Sequence, residues 1–278
     1  MFVKNGTGIL KKVLVSRPSY LKPAPINEIA KKWKDTTMDI ELMEKEHKIL
    51  TDTYKAEGVE VEYLEADSDR PNSVFSRDFG GCVKEGYILG KFKLDMRYKE
   101  HVDYEKRMEE LGIPCIAKVE KGLFEGGDFM FMNEKLIAIG MADRSNKEGV
   151  EEIKKNLEPL GYEIVPVFLN PAYLHLDMCF NLVDDHLAVT YAEGLPKNFR
   201  KLLKDLDIDL IEVEEKDIFL HGCNLQALGD NRVLSLSRNI EVNKKLEDHG
   251  MKVIKLPITE ILKAGGGPHC MTFPLIRE

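Results

Sequence analysis

The sequence predicts an α/β fold built from about five copies of one unit, arranged in a ring around an axis. Three observations carry this reading. A charged amphipathic stretch, a turn and an apolar strand recur in that order along the chain. Most copies close the amphipathic stretch with a glycine, which accepts the left-handed conformation that ends a helix. Each strand is then followed by a polar or glycine-rich segment, and units stacked around an axis would bring these segments together at the centre, a natural site. Plain helix and strand alternation would satisfy the first two observations; the third favours the ring.

In the first copy, Met38, Leu42, Leu50 and Tyr54 keep a helical spacing up to Gly58, and Val59-Glu60-Val61-Glu62-Tyr63 then alternates as a strand does. The second runs from Tyr98 through Met108 and Leu111 to Gly112, with Ile113-Pro114-Cys115-Ile116 as its strand. Asn146, Val150, Ile153 and Leu157 lead the third to Gly161 and a strand from Tyr162 to Val167. The fourth, Leu195 to Leu206, lacks the glycine but enters a strand from Ile208 to Val213. Val242 and Leu246 mark the fifth, which stops at Gly250 before Met251 to Leu256. Behind the strands lie Pro71 to Asp78, Phe124 to Asp128, Leu174 to Asp177, His221 to Asn224 and Gly265 to Cys270. No Pro/Gly/Ser-rich linker divides the chain, so residues 1–278 are expected to form a single domain.

Composition narrows the class. With 43% hydrophobic and 32% charged residues, the 278-residue chain has ample material for a core, which excludes disordered and collagen-like classes. The net charge of −8 opposes binding to a phosphate polyanion, so nucleic acid is not an expected partner. Five cysteines at 82, 115, 179, 223 and 270 form neither a dense even framework nor a Cys-x-x-Cys pair. The first apolar run, Gly8-Ile9-Leu10, is cut by Lys11-Lys12, and no stretch nears the length needed to span a bilayer. A reduced, cytoplasmic protein without membrane attachment is expected, and a homo-oligomer remains open.

The segments behind the strands hold a candidate nucleophile, Cys270, a candidate acid/base, His175, and the carboxylates Asp78, Glu125, Asp128 and Asp177. A cysteine attacks as thiolate, and its pKa must be lowered by nearby cations or backbone donors. The run Gly265-Gly266-Gly267 lets backbone amides and a ligand approach closely. So many anions around one electrophile suit a cation, and the planar guanidinium is the group that carboxylates grip by bidentate pairs.

Pro71-Asn72-x-x-x-x-Arg77-Asp78, Glu125-Gly126-Gly127-Asp128, His175-x-Asp177 and Gly267-Pro268-His269-Cys270-Met271-x-x-Pro274-Leu275 resemble the motifs of the guanidine-modifying superfamily. That superfamily contains arginine deiminase, arginine dihydrolase, dimethylarginine dimethylaminohydrolase and the amidinotransferases. The resemblance covers essentially the whole chain and implies a five-bladed α/β propeller, the pentein fold, with no cofactor. It implies Cys270 as the nucleophile that attacks the guanidinium carbon and forms a covalent thiouronium. His175 would protonate the leaving amine and then activate water, with Glu125 orienting the imidazole. Asp78 and Asp177 would hold the guanidinium nitrogens. Arg144 resembles the arginine that receives an α-carboxylate, a surface salt bridge being its other reading.

Within the superfamily the resemblance points to a hydrolase that converts L-arginine to citrulline and ammonia. Dimethylarginine hydrolases usually carry lysine where this chain has Asp177, although its length is closer to theirs. Arginine deiminases typically carry an inserted helical domain that this chain lacks. Arginine dihydrolases, which release ornithine, are similar in motif spacing, and Asn72 with Asn27 would match their asparagines. A turn or helix cap is the alternative for Asn27. Amidinotransferases usually lack the Pro-His before cysteine, which favours hydrolysis over transfer. Two other classes stay open: a zinc or other divalent-metal site, against which no tight ligand spacing is present, and a non-catalytic binding propeller. His221 and Cys223 are read as structural, Cys82, Cys115 and Cys179 as core residues, and Trp33 as packing or a lid.

Overall fold

The computed structural model describes residues 1–25 and 27–278. The chain lays down β1 (Leu10–Ser16), α1 (Glu28–Trp33), α2 (Ile40–Ala56) and β2 (Glu60–Leu64), then β3 (Gly80–Val83), β4 (Gly86–Leu89), α3 (Glu100–Glu110) and β5 (Cys115–Lys118). Next come β6 (Phe129–Phe131), β7 (Leu136–Met141), α4 (Lys147–Leu157) and β8 (Glu163–Phe168), followed by β9 (Phe180–Asp184), β10 (Leu187–Thr190), α5 (Lys197–Asp205) and β11 (Asp209–Glu212). The last group is α6 (Glu215–Ile218), β12 (Gln226–Gly229), β13 (Arg232–Leu236), α7 (Ile240–Asp248), β14 (Lys252–Leu256) and β15 (Phe273–Arg277).

These strands form five three-stranded sheets, β15-β1-β2, β3-β4-β5, β6-β7-β8, β9-β10-β11 and β12-β13-β14. In each, the middle strand runs antiparallel to the first and parallel to the third. A hairpin can join the antiparallel pair, whereas the parallel pair needs a crossover, which the helix supplies. β15, the end of the chain, completes the first sheet beside β1 and so closes the ring. The architecture is the ring of five units expected from the repeats and the five-bladed α/β propeller that the resemblance implied.

Helix ends follow local chemistry. Asp39 and Asn146 cap α2 and α4 by accepting from the amides of Leu42 and Gly149. Gly58, Gly112, Gly161 and Gly250 take φ of 81°, 67°, 86° and 82°, the left-handed stop that the sequence pattern foresaw. In the fourth blade Asp207, with φ 56°, fills that position, since a short polar side chain tolerates it.

The second blade corrects two expectations. Its third strand starts at Cys115 rather than Ile113, because the Ile113 amide still bonds the Met108 carbonyl that closes α3. Cys115 is exposed, not core. The register jumps from the Tyr87–Cys115 pair to Ile88–Ala117, and this bulge breaks the two-residue period that would put Cys115 on the same face as buried Ala117. Cys82, Cys179 and Cys223 are buried, and Trp33 is 40% exposed beneath the Lys263 ammonium.

Apolar residues bury in three clusters between the sheets and their helices. The first strands of the blades turn inward and meet around the axis, β15 touching β3, β6 touching β9 and β9 touching β12. No helix among the described residues is long and apolar enough to cross a membrane.

Candidate active site

Every blade delivers its candidate site side chains from the segment just ahead of its inward strand. Asp78 lies on the tight turn Ser76–Phe79 before β3, Glu125 and Asp128 around Gly126–Asp128 before β6, and His175 and Asp177 around Leu176–Met178 before β9. Asn224 precedes β12, and His269 with Cys270 precedes β15. The first three turns touch one another in sequence around the axis. The glycine runs are cut-outs for neighbours: a Cβ on Gly127 would lie 2.5 Å from His175 Nδ1, and one on Gly267 would lie 2.8 Å from Asn224 Oδ1.

Cys270 Sγ accepts from Asn224 Nδ2 at 2.8 Å and lies 3.8 Å from Asp177 Oδ2. That same Asp177 oxygen is 2.9 Å from His269 Nδ1, while its Oδ1 is buried without a partner. Burial holds the Cys270 thiol well above its ordinary pKa, and the charges of Asp177 and Asp78 push the same way against the Asn224 and Gly267 donors. Burial also opposes ionisation of Asp177, but the His269 bond and the cationic His175 and Arg77 keep its pKa below the ordinary value.

His175 Nε2 sits 3.1 Å from Glu125 Oε2, and its Nδ1 is 3.8 Å from Asp78 Oδ1. Burial favours the neutral ring, yet Asp78, Glu125 and Asp128 outweigh it and raise the imidazole pKa to about 10. Glu125 moves the other way, to about 2, since His175 and Arg144 overcome its own desolvation. The site therefore holds an ionised glutamate against a protonated histidine. Asp128 supports the geometry: its Oδ1 accepts from the Leu176 amide at 2.9 Å and its Oδ2 from Ser145 Oγ at 2.6 Å.

Asp78 is fixed by a residue that no motif had marked. Arg97 Nη1 donates to Asp78 Oδ2 at 2.6 Å, and Arg97 Nη2 to Glu100 Oε2 at 2.8 Å, all three groups being buried. Asp78 Oδ1 is left without a hydrogen-bond partner, as are both side-chain polar atoms of buried Asn72. Arg144 is also buried, 3.5 Å from Glu125 Oε2 and 2.9 Å from Asp143 Oδ2, so the surface salt-bridge reading of this residue is overturned. Asn27 caps α1 by accepting from the Ala30 amide at 2.7 Å and donates to the Ala264 carbonyl at 3.3 Å.

A pocket of about 180 Å³ opens onto these groups, with Cys270, His175, Asp177 and Asn224 inside, Leu174, Met178 and Ile218 as an apolar wall, and Asn27 and Lys31 toward α1. His221, read as structural, also lines it, whereas Cys223 does not. Asp78, Glu125 and His175 bring possible metal-ligand atoms within 4.8 Å of one another. Arg97 and Arg144 already sit on two of these groups, Asp78 and Glu125, at 2.6 and 3.5 Å. Asn224 and Arg97 are the residues sequence reasoning missed. Asn224 stood inside a marked segment, but Arg97 and Glu100 resemble an ordinary i,i+3 surface pair and give no local signal of burial.

A propeller that gathers cysteine, histidine and paired carboxylates at one end of its axis defines a guanidino-modifying hydrolase of the pentein fold. Within that class the chain belongs to the dimethylarginine dimethylhydrolase family, whose model, N,N dimethylarginine dimethylhydrolase, eukaryotic, matches residues 17–277. It is 29% identical over 271 residues to the uncharacterized protein YkgA of Bacillus subtilis, covering 97% of this chain and 93% of that protein. It is 29% identical over 254 residues to the arginine deiminase of Clostridium perfringens, a match that takes in 75% of this chain and only 62% of the longer deiminase. Among solved structures, the N-terminal domain of ArgZ bound covalently to a reaction intermediate superposes with a TM-score of 0.85 at 25% identity, over 95% of this chain and 97% of that one. A dimethylarginine dimethylaminohydrolase adduct has the same fold, with a TM-score of 0.79 at 21% identity, over 96% of this chain and all of that one.

Proposed function

We propose that residues 1–278 act as one catalytic unit that hydrolyses the guanidino group of L-arginine, or a close derivative, to the ureido product and ammonia. One observation carries the reading: Asp78 and Asp177, both buried beside the cysteine–histidine pair, each keep one carboxylate oxygen without a hydrogen-bond partner. A guanidinium satisfies both with charge-assisted bonds. Its positive charge offsets the Asp177 and Asp78 charges that add to burial in keeping Cys270 protonated, so the thiol releases its proton to solvent when substrate arrives. Sγ then attacks the guanidinium carbon, and His175, already protonated, donates to the departing nitrogen as the carbon–nitrogen bond breaks. The neutral imidazole left behind accepts a proton from the water that attacks the thiouronium carbon, and Cys270 departs. Glu125 stabilises the imidazolium at each return, and Arg144, 3.5 Å from Glu125 Oε2, is the cation we assign to an α-carboxylate.

A second reading, hydrolysis twice to ornithine, is favoured by Asn72, whose buried amide has a free donor and acceptor for a neutral ureido group. Asn27 supports it less, since its amide is already bonded to Ala30 and Ala264. Cyanobacterial ArgZ is described as an arginine dihydrolase. Arginine labelled in the guanidino carbon and followed to exhaustion separates the two: citrulline without ornithine is expected, while ornithine, carbon dioxide and about two ammonia per arginine would establish the second. Methylarginines assayed in parallel, with release of methylamine or dimethylamine, test the activity named by the family.

A further inference from the structure

The propeller axis holds a second cavity, separate from the substrate pocket and lined by the inward strands of all five blades. Its volume is about 30 Å³, and its polar lining includes Arg77, Arg277, Asn181, Gln226 and His269. Arg277 is only 2% exposed, and its Nη1 and Nη2 donate to the carbonyls of Gly8 and Ala227 at 2.6 and 2.9 Å. Arg77, partly accessible, donates through Nε and Nη2 to the carbonyls of Gly126 and Phe129 at 3.2 and 2.9 Å. No carboxylate among the described residues forms an ion pair with either guanidinium, and each has five donors, so further N–H groups remain beyond those bonds.

Two neighbouring cations held by neutral carbonyls, one of them buried, are costly without a counter-charge. The nearby acids are otherwise engaged, Asp78 with Arg97, Glu125 with His175 and Asp177 with His269; Asp177 and Asp78 act on Arg77 from a distance, without an ion pair. We propose that this axial cavity binds one small monovalent anion of halide size between Arg77 and Arg277. On the scale where roughly 10–15 Å³ holds a water, its volume admits a halide and is too small for a tetrahedral oxyanion. Burial and the neighbouring Arg77 charge push the Arg277 guanidinium down to about 9, the strain that a bound anion relieves. The site adjoins the nucleophile without forming part of it: the Arg77 amide bonds the Cys270 carbonyl at 3.0 Å, and His269, which holds Asp177, lines the cavity.

Thermal unfolding at constant ionic strength, with bromide replacing gluconate, tests the proposal on the intact chain. Bromide is expected to raise the Tm by about 2–4 °C with saturation in the millimolar range, as ligand binding to the folded state requires. Gln226→Glu, which places a carboxylate in the cavity wall, is expected to abolish the response. Crystals of the unaltered protein grown in bromide should show an anomalous peak between the two guanidiniums. An unchanged Tm, an equal rise in Gln226→Glu, or a cavity with no bromine peak would each overturn the assignment and make this a water pocket.

Discussion

Asn224 ties Cys270 to its own chain segment: Nδ2 donates to Cys270 Sγ at 2.8 Å while Oδ1 accepts from the His269 amide at 2.9 Å. One side chain from the fifth blade thus fixes the sulfur and supplies the hydrogen bond that favours its anion.

Asn224→Ala removes that donor. A hydrogen bond to a charged group is worth about 1.5–3 kcal/mol, so kcat/KM is expected to fall about 10- to 100-fold. Iodoacetamide should alkylate the variant more slowly than the parent at pH 8. Equal alkylation rates would mean that the bond does not act on the thiol.

Neutralising Asp177 should move reactivity and catalysis in opposite directions. Burial and the Asp177 charge both raise the Cys270 pKa, so Asp177→Asn lowers it and speeds alkylation at pH 8. The same change removes part of the grip on a guanidinium and should cost at least about ten-fold in kcat/KM. Asp78→Asn is expected to behave alike, and a loss of both reactivity and turnover would point instead to a collapsed site.

The histidine carries a pH-dependent share of stability. His175 has a folded pKa raised to about 10 against 6.5 for an unperturbed ring. Its stabilising contribution is complete below about 6.5 and is lost as pH rises through about 10. Urea unfolding between pH 7 and 10 should therefore show a decline steeper in the parent than in His175→Gln, by at least about 1 kcal/mol. Parallel declines would show that the fold gives His175 no extra affinity for its proton.

Arg97→Met leaves Asp78 and Glu100 buried without their shared cation. Breaking such a pair costs about 3–5 kcal/mol. Burial already raises Glu100 to about 7 despite Arg97, so adding Glu100→Gln to Arg97→Met should restore part of the loss in urea unfolding.

Cys270→Ser should fold normally, shown by unchanged circular dichroism, and have no measurable turnover of any guanidine. Chelators should leave the parent enzyme's rate unaltered. Full activity in the serine variant would end the covalent mechanism.

Sequence alone determined the five repeats, the glycine stops at 58, 112, 161 and 250, and the segments that converge on the axis. Helical and strand periods and turn chemistry are properties of neighbouring residues, so they survive without knowledge of the fold. Even the fourth blade, with no glycine, kept its helix-to-strand order because Asp207 adopts the same backbone conformation. The exposure of Cys115 was not legible, since a bulge depends on the partner strand that sets register. Nor were the Asn224–Cys270, His175–Glu125 and Asp177–Cys270 contacts, which join residues 46, 50 and 93 positions apart. Packing of neighbouring blades makes the second of these contacts, and the segment that leads into β15 carries Cys270 to the other two. Assembly of the ring decides which carboxylate oxygens Arg97 and His269 occupy and which stay free, because burial and partner choice are set by the whole ring and not by any one blade.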